Sequence, residues 1–439
     1  MIHTEIDYNI LAETFRSGSK PPSAFEVGVE WEKVGIHRDT GLAIPYNGPR
    51  GVRVILETLK TRFGWTPVLS GSGEPIALTK GPVSITLEPG GQIELSGQKA
   101  KKLTENAAEL YRHLTEIREV SEPLGIAWLG IGAQPFSRQN EIEWTPKERY
   151  AIMRETLKDS GNRTYSMMKE TASVQVSLDY SDEHDAVEKL RLAMALSPVL
   201  TALFANSPLE GGKRSPYLSR RAHIWLQTAP ERSGVLWDVF NPSFSFNDYV
   251  RYALEVPALF IQRNKSWIQL PRMRFADFLK SGWGGYEPEP GDWELHLTSL
   301  FTEARLKKYV EIRSVDCQSV PTGLAVVAFL KGLFYDTASR RGAWELLKDL
   351  SIDERKTLQE KTPVLALKTP FKGKTMLYAG RALAEMAKSG LAGDEKKFLE
   401  PLEALLAAQK CPAEILLDCE CGTAPAGATI ERLIECAGI

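Results

Sequence analysis

The sequence predicts an α+β fold in which helices cover an antiparallel β-sheet. Four segments alternate apolar and polar residues, which is typical of strands with one buried and one polar face: residues 25–33, 83–96, 173–180 and 306–316. From residue 322 onward the apolar residues follow helical spacing instead. Because the strands precede the helices along the chain, an antiparallel sheet is favoured over a parallel one.

The chain has 439 residues, which exceeds the usual size of one domain. Composition gives no clear boundary, so one large domain and two closely packed domains are both possible. We expect a single domain over residues 1–439 with a mainly helical part over 322–439. The hydrophobic content of 43% is sufficient for a sizeable core.

Net charge and composition argue against several classes of partner. The formal net charge is −2 and no Lys/Arg-rich block occurs, so neither nucleic acid nor a membrane surface is expected to bind. No run of eighteen apolar residues predicts a transmembrane helix. The first residues resemble neither a secretory signal nor a transit peptide, and five cysteines do not suggest a disulfide framework. A reduced, cytoplasmic protein is therefore expected.

The first strand carries three carboxylates on one face. Alternation over residues 25–33 places Glu26, Glu30 and Glu32 on the side opposite Trp31. Alternate residues of a strand are about 6.6 to 6.8 Å apart, so the three charges repel one another unless solvent or a cation intervenes.

The other strands add carboxylates to the polar face. The turn Pro89-Gly90-Gly91 predicts a hairpin that joins two short runs within residues 83–96. A solvated face is the default explanation for any one strand, but mixed charges are usual there because like charges on neighbouring strands are destabilising. The sequence instead offers six glutamates and a single strand arginine, Arg313. The glutamates are Glu26, Glu30, Glu32, Glu88, Glu94 and Glu311.

A shared cation would relieve this repulsion. Hard oxygen ligands without paired histidine or cysteine favour Mg²⁺, or Mn²⁺, over Zn²⁺. Since Mg²⁺ usually acts beside phosphates, a nucleotide-dependent enzyme is expected. Known phosphate loops are missing, because neither Gly373-Lys-Thr375 nor Gly130-Ile-Gly132 completes its glycine pattern.

Other candidate residues have simpler explanations. His223 could be a base, but a lone histidine beside an apolar run is more often structural. Cys411, Cys419 and Cys421 have poor spacing for zinc. The Gly/Pro-rich loop 283–293, with a tryptophan at each end, is a candidate flap over a site.

Six strings of this sequence, in order between about residues 25 and 336, closely resemble glutamate–cysteine ligases of the plant and proteobacterial type. The long final string is the most specific. The strings are GVEWEK (28–33), LEPGGQIELSG (87–97), TASVQVSLD (171–179), FANSP (204–208), RAHIW (221–225) and LTSLFTEARLKKYVEIR (297–313).

The resemblance implies a single catalytic domain with a glutamine-synthetase-like fold, whose curved antiparallel sheet binds ATP, Mg²⁺ and L-glutamate. It implies that ATP, glutamate and L-cysteine give γ-glutamylcysteine, the first step of glutathione synthesis, in a monomer or homodimer. Glu30, Glu32, Glu94 and Glu311 match metal-binding positions, and Glu26 and Glu88 are further candidates. Gln175 is implied near a metal and, with Arg221 and Arg313, among the residues that bind ATP and substrate. The two arginines are expected at the γ-phosphate or the substrate carboxylate, and Glu311 and Arg313 as the catalytic pair.

Three departures from the plant pattern flank these positions and bear on the second substrate. They are Trp31 for histidine, Ser177 for asparagine, and Lys169-Glu170 for a Phe-Arg pair. Two alternatives therefore stay open at this point: a glutamate ligase with another amine acceptor, and a catalytically silent regulatory homologue.

Overall fold

A computed structural model describes residues 7–419 and 426–439. Cys421, one of the three cysteines considered above, lies outside these residues. Within the described part of the chain, no helix is long and apolar enough to cross a bilayer.

Most strands are short and lie in the first three quarters of the chain. They are β1 (Val27–His37), β2 (Thr66–Leu69), β3 (Pro75–Lys80), β4 (Val83–Leu87), β5 (Ile93–Ser96), β6 (Ile126–Leu129), β7 (Ser173–Leu178), β8 (Leu209–Glu210), β9 (Lys213–Arg214), β10 (Ser233–Gly234), β11 (Phe260–Arg263), β12 (Ser266–Gln269), β13 (Phe301–Thr302), β14 (Ala304–Leu306), β15 (Val310–Asp316), β16 (Pro370–Phe371) and β17 (Lys374–Thr375).

Helices separate the strands and dominate the C-terminal quarter. They are α1 (Tyr8–Arg16), α2 (Val52–Phe63), α3 (Leu103–Ser121), α4 (Glu148–Thr156), α5 (Thr164–Glu170), α6 (Glu183–Phe204), α7 (Arg220–Leu226), α8 (Phe246–Glu255), α9 (Phe275–Ser281), α10 (Pro290–Leu297), α11 (Val320–Tyr335), α12 (Thr337–Leu347), α13 (Ile352–Leu365), α14 (Met376–Gly390), α15 (Glu400–Ala408), α16 (Pro412–Asp418) and α17 (Ala426–Ala437).

Within residues 7–419 and 426–439, the main sheet has nine strands, and all its pairings are antiparallel. Its order is β14-β15-β7-β1-β5-β4-β3-β2, with β6 paired to the far end of β1. The strands that the sequence predicted, β1, β4, β5, β7 and β15, are adjacent at its centre. The expected α+β class with an antiparallel sheet is confirmed.

The central strand begins two residues later than predicted and runs on to His37. A short 3₁₀ helix at Pro22–Ala24 turns the chain just before it. The backbone N–H of Glu26 donates to the Asp179 carboxylate at 2.7 Å, and its carbonyl accepts from the Tyr335 hydroxyl. Glu26 therefore lies outside the strand because side chains satisfy its backbone.

Helices α6 and α11 pack against the apolar face of the sheet. Trp31 points from β1 toward α11 and is almost fully buried. At Gly323 of α11, a Cβ atom would lie 2.1 Å from the Trp31 ring, so only glycine permits this close approach. The opposite face of the sheet is thereby left free for the polar residues.

The C-terminal part is mainly helical in its described residues, as expected, with one two-stranded hairpin formed by β16 and β17. Helix α11 packs on α14, α12 and α15. The assignment of residues 1–439 to a single catalytic domain stays a prediction.

Candidate active site

The polar face of the sheet forms the floor of a cavity of about 330 Å³. Side chains of β1, β4, β5, β7, β14 and β15 line this floor. Helices α4, α5 and α7 and the segment 298–301 form the walls. The strands that carry the predicted residues therefore contribute to one site.

Three carboxylates meet at one end of the floor. Oxygen atoms of Glu32, Glu88 and Glu94 lie within 4.8 Å of one another. The pairing of β1 with β5 sets Glu32 directly opposite Glu94, and the next strand sets Thr86 opposite Glu94. Residues 88–92 close the predicted hairpin, with the Gly91 N–H donating to the Glu88 carbonyl at 3.0 Å. Strand register and one tight turn thus bring the three carboxylates together.

Hydrogen bonds from neighbouring strands fix the orientation of two of these carboxylates. Glu32 accepts from the backbone N–H and the hydroxyl of Ser173, the latter at 2.9 Å, and from the Gln175 amide at 3.1 Å. Glu94 accepts from the Thr86 hydroxyl at 2.9 Å. Since both residues line the cavity and each has an oxygen within the 4.8 Å cluster, a cation would find preformed ligands there.

Burial and mutual repulsion raise the pKa values of Glu30, Glu32 and Glu88. Burial, and then the charges of Glu94 and Glu311, raise the pKa of Glu30 to about 8. Burial, and then Glu88 and Glu94, raise the pKa of Glu32 to about 8. Burial and Glu94 also raise the pKa of Glu88. A group of oxygen ligands that lacks sufficient cationic compensation fits a hard divalent cation such as Mg²⁺ or Mn²⁺.

Glu311 lies in the opposite environment. It is fully buried and accepts from Arg305 Nε at 2.6 Å, while Lys307 Nζ lies 3.4 Å and Arg313 3.6 Å from its oxygens. Burial alone would raise the pKa of Glu311, but these three cations together hold it well below its ordinary value. Glu311 is thus an ionised partner of cations here, and its role as a direct metal ligand stays a prediction.

Two arginines and one glutamine link the strands to α7. Arg313 lies at a bulge that follows Ile312 in β15, and its side chain lines the cavity and donates to the Gln175 side-chain oxygen. Arg221 of α7 lines the same cavity and donates to the backbone carbonyl of Arg313 at 2.7 Å. The two guanidinium groups therefore face one space from different elements.

The structure brings most of the predicted residues together. Those that line the cavity are Glu30, Glu32, Glu88, Glu94, Gln175, Arg221 and Arg313. Glu311 does not line the cavity itself, but it accepts a hydrogen bond from Arg305, which does. Glu26 is not among the lining residues.

The remaining candidates lie elsewhere. Neither tryptophan of the loop 283–293 lines the cavity, and Trp293 is buried beside Phe15 and Phe275, so the proposed flap is wrong. His223 stacks on Tyr217 with ring centroids 3.8 Å apart and does not line the cavity either. Cys411 is buried in a small apolar cluster, as expected for a structural thiol.

Part of the cavity lining was not predicted from the sequence. Arg305, like Lys307, lies an even number of residues before Glu311. Strand alternation could therefore have placed Arg305 on the same face as Glu311. Arg149 and Tyr150 lie on α4, whose weak helical pattern gave no such indication. The Arg149 Nε–H is buried without a hydrogen-bond partner among the described residues. An anion in the cavity would satisfy it.

The fold and the cavity define a class of protein. An antiparallel sheet whose polar face combines clustered carboxylates with arginines is the arrangement expected of a glutamine-synthetase-like carboxylate–amine ligase. A solved glutamate–cysteine ligase from Francisella tularensis, in complex with AMP, shares the fold with a TM-score of 0.59 at 12% identity, over 94% of this chain and 88% of that one.

The chain belongs to glutamate–cysteine ligase family 2, whose model matches residues 26–435. It is 41% identical to glutamate–cysteine ligase B of Oryza sativa subsp. japonica, over 92% of this chain and 82% of the rice protein. It is 40% identical to the Arabidopsis thaliana enzyme, over 92% of this chain and 77% of that protein. The expectation of an enzyme of this family, acting on small molecules, is confirmed.

The same relatives correct one expectation. Both the rice and the Arabidopsis proteins are named as chloroplastic, which contradicts the cytoplasmic location expected from the sequence. Charge, cysteine number and hydrophobic content describe a folded chain, and they do not encode the compartment in which it works.

Proposed function

We propose that this protein joins the γ-carboxylate of L-glutamate to the amine of L-cysteine at the expense of ATP, giving γ-glutamylcysteine, ADP and phosphate. The observation that carries the proposal is the single cavity in which Glu30, Glu32, Glu88 and Glu94 face four arginines. Such an arrangement suits a polyanionic substrate bound with a divalent cation. Family membership supports both ATP and the two amino acids as substrates.

The reaction requires activation of a poor electrophile. The γ-carboxylate of glutamate takes the γ-phosphoryl group of ATP and becomes an acyl phosphate, which the amine of cysteine then attacks. A bound Mg²⁺ would supply positive charge to the phosphoryl group during transfer. Glu32, Glu88 and Glu94 would hold that ion, and Glu30 lies beside them on the same strand face.

The arginines orient the anionic groups of the substrates. Arg313 and Arg221 reach the cavity from β15 and α7, and Arg149 reaches it from α4. Fixed guanidinium groups stabilise charge that develops on the transferring phosphoryl group without reorganising during the reaction. Arg305, which is held by Glu311 at 2.6 Å, completes the cationic side of the floor.

An apolar wall limits the access of water. The apolar side chains of Met153, Met167, Met168, Trp225 and Phe301 are among those that line the cavity. Because water would hydrolyse the acyl phosphate, its exclusion favours attack by the amine.

The test is ADP release by the purified protein with ATP, Mg²⁺ and glutamate, to which each amino acid is added singly. We expect cysteine to increase the rate most, with formation of γ-glutamylcysteine confirmed by mass spectrometry. A larger increase with another amine would identify a different glutamate ligase. No ADP release with any amine would identify a silent homologue and overturn the proposal.

A further inference from the structure

Asp316 is a buried carboxylate at the end of β15 that does not line the cavity. It is 2% exposed, and three hydrogen bonds from chain segments distant in sequence reach its two oxygens. Oδ1 accepts from the Ser219 hydroxyl at 2.9 Å. Oδ2 accepts from the Ser207 hydroxyl at 2.7 Å and from the backbone N–H of Asn206 at 2.8 Å. Both oxygens of Asp316 thus accept hydrogen bonds from inside the protein.

Each serine also forms a hydrogen bond with a backbone N–H in the first turn of α7. The Ser219 oxygen accepts from the backbone N–H of Ala222 at 3.1 Å and so caps the helix. The Ser207 oxygen accepts from the backbone N–H of Arg221 at 3.0 Å. Because each hydroxyl proton is committed to Asp316, each serine oxygen is oriented to accept from the helix.

The surroundings of Asp316 leave it little freedom to move. At Gly132, a Cβ atom would lie 2.4 Å from the carboxylate carbon of Asp316. The Gly130-Ile-Gly132 fragment, which suggested a phosphate loop in the sequence, thus contains a glycine that makes room for this carboxylate. Gly132 therefore contributes to the support of α7, although it belongs to no phosphate loop.

Helix α7 carries Arg221 and Trp225 into the cavity four residues apart. Arg221 also donates to the carbonyl of Arg313, which precedes Asp316 by three residues on β15. One short strand segment therefore holds α7 at two places: through Asp316 at the helix N-terminus and through Arg313 at the guanidinium group.

We propose that Asp316 is a positioning residue that sets the guanidinium group of Arg221 against Arg313, acting through Ser207 and Ser219. It touches no substrate. Its removal tilts the first turn of α7 and displaces Arg221 from the anionic group that it binds. The inference rests on the proposed function, since the effect is read from the ligation reaction.

A double-mutant cycle tests the proposal. Ser219→Ala removes one of the two links, and Arg221→Lys keeps a cation but removes the planar fork. We expect Ser219→Ala to lower kcat/KM about tenfold in the native background and less than about twofold in the Arg221→Lys background, since coupled residues are not additive. Additive effects, or an unchanged kcat/KM for Ser219→Ala, would overturn the proposal.

A matched control separates positioning from general loss of stability. The Ser245 hydroxyl oxygen caps α8 by accepting from the backbone N–H of Asp248 at 3.4 Å, and no residue of α8 lines the cavity. Ser245→Ala should lower Tm as Ser219→Ala does, yet leave kcat/KM unchanged. Loss of activity in the control would assign the Ser219 effect to stability.

Hydrogen exchange gives a readout that does not depend on turnover. Asp316→Asn should accelerate exchange of the amides in residues 219–226 while α8 stays protected. Unchanged exchange in residues 219–226 would contradict the relay even if activity fell. If the native protein releases no ADP with any amine, the proposed function fails, and the exchange experiment still decides the role of Asp316.

Discussion

Glu32 and Glu94 lie directly opposite each other in the pairing of β1 with β5, and each is only 8% exposed. Like charges at facing positions of a sheet oppose folding, and burial strengthens their repulsion. Hydrogen bonds from Ser173 and Thr86 relieve only part of this cost. In the metal-free protein, the carboxylates at this end of the site are therefore expected to lower the free energy of unfolding.

Glu30→Gln should stabilise the metal-free protein while it abolishes ADP formation. The pKa of Glu30 is raised from 4.5 to about 8, so its contribution to stability is full below pH 4.5 and is lost as pH rises to about 8. At pH 8.5 the neutral glutamine should raise the free energy of unfolding by on the order of 3 kcal/mol. Urea denaturation in EDTA measures this, with Glu57→Gln at an exposed position of α2 as a neutral control. Unchanged stability together with unchanged turnover would refute the assignment.

Glu311→Gln should have the opposite effect on stability. Arg305, Lys307 and Arg313 hold the pKa of Glu311 below its ordinary value, so its contribution is present above the ordinary pKa and is lost as pH falls through the native value. Removing one charge from this buried group should lower the free energy of unfolding by about 3 to 5 kcal/mol at pH 8. Glu294→Gln, which removes an exposed partner of Lys308, should have little effect. A stabilised Glu311→Gln protein would show that the three cations do not pair with it.

Binding of Mg²⁺ should release protons at pH 7. Glu30 and Glu32, with pKa values of about 8, are largely protonated there, and an ion held by carboxylates requires the charged form. Isothermal titration in buffers of different ionisation enthalpy should detect release of about one proton or more, falling toward zero above pH 9. In Glu30→Gln the number should decrease. Mg²⁺ binding with no proton release at pH 7 would exclude these carboxylates as its ligands.

Arg149→Met should weaken substrate binding and leave the fold intact. The buried Nε–H of Arg149 lacks a partner within the described residues, so we expect it to donate to an anionic group of the substrates. KM for ATP or glutamate should rise on the order of tenfold in steady-state assays. Arg154→Met on the same helix, an exposed cation over Trp144, is the matched control. Equal effects of the two substitutions would assign Arg149 no specific contact.

Gly323→Ala should destabilise the protein without a direct effect on the site. The added methyl group would lie 2.1 Å from the Trp31 ring, and overpacking of this kind costs about 1 to 3 kcal/mol. Combination with Trp31→Phe should restore part of the loss. Gly291→Ala is the control, because nothing lies within 4 Å of its added methyl group. Thermal unfolding compares the native protein with these three variants. An unchanged Tm for Gly323→Ala would contradict the packing of Gly323 against Trp31.

The sequence allowed the centre of the sheet to be predicted because alternation reports burial on one face. It predicted β1, β4, β5, β7 and β15, and with them five side chains of the cavity, whereas Glu88 lies just after β4 and Arg221 lies on α7. It placed Glu26 on the strand because periodicity cannot show that Asp179 and Tyr335 would take over its backbone hydrogen bonds.

The rest of the site could not be read from periodicity. Arg149 enters the cavity from a weakly amphipathic helix, so its position depends on contacts between distant segments. Glu311 carries the same charge as Glu30 in the sequence, yet its pKa shifts the other way because Arg305 lies opposite it on β14. Charge alone did not distinguish the two carboxylates, whereas the pairing of strands does.

The pairing of β1 with three other strands also constrains how the chain folds. A slip of one residue would exchange the two faces of β1, turning Glu30 and Glu32 toward α11 and Trp31 into the cavity. Two carboxylates would then be buried against apolar helices without serine or glutamine partners. The carboxylates that lower the stability of the native site would therefore raise the free energy of intermediates with the wrong register even more. The carboxylate face thus selects the correct register of β1 during folding.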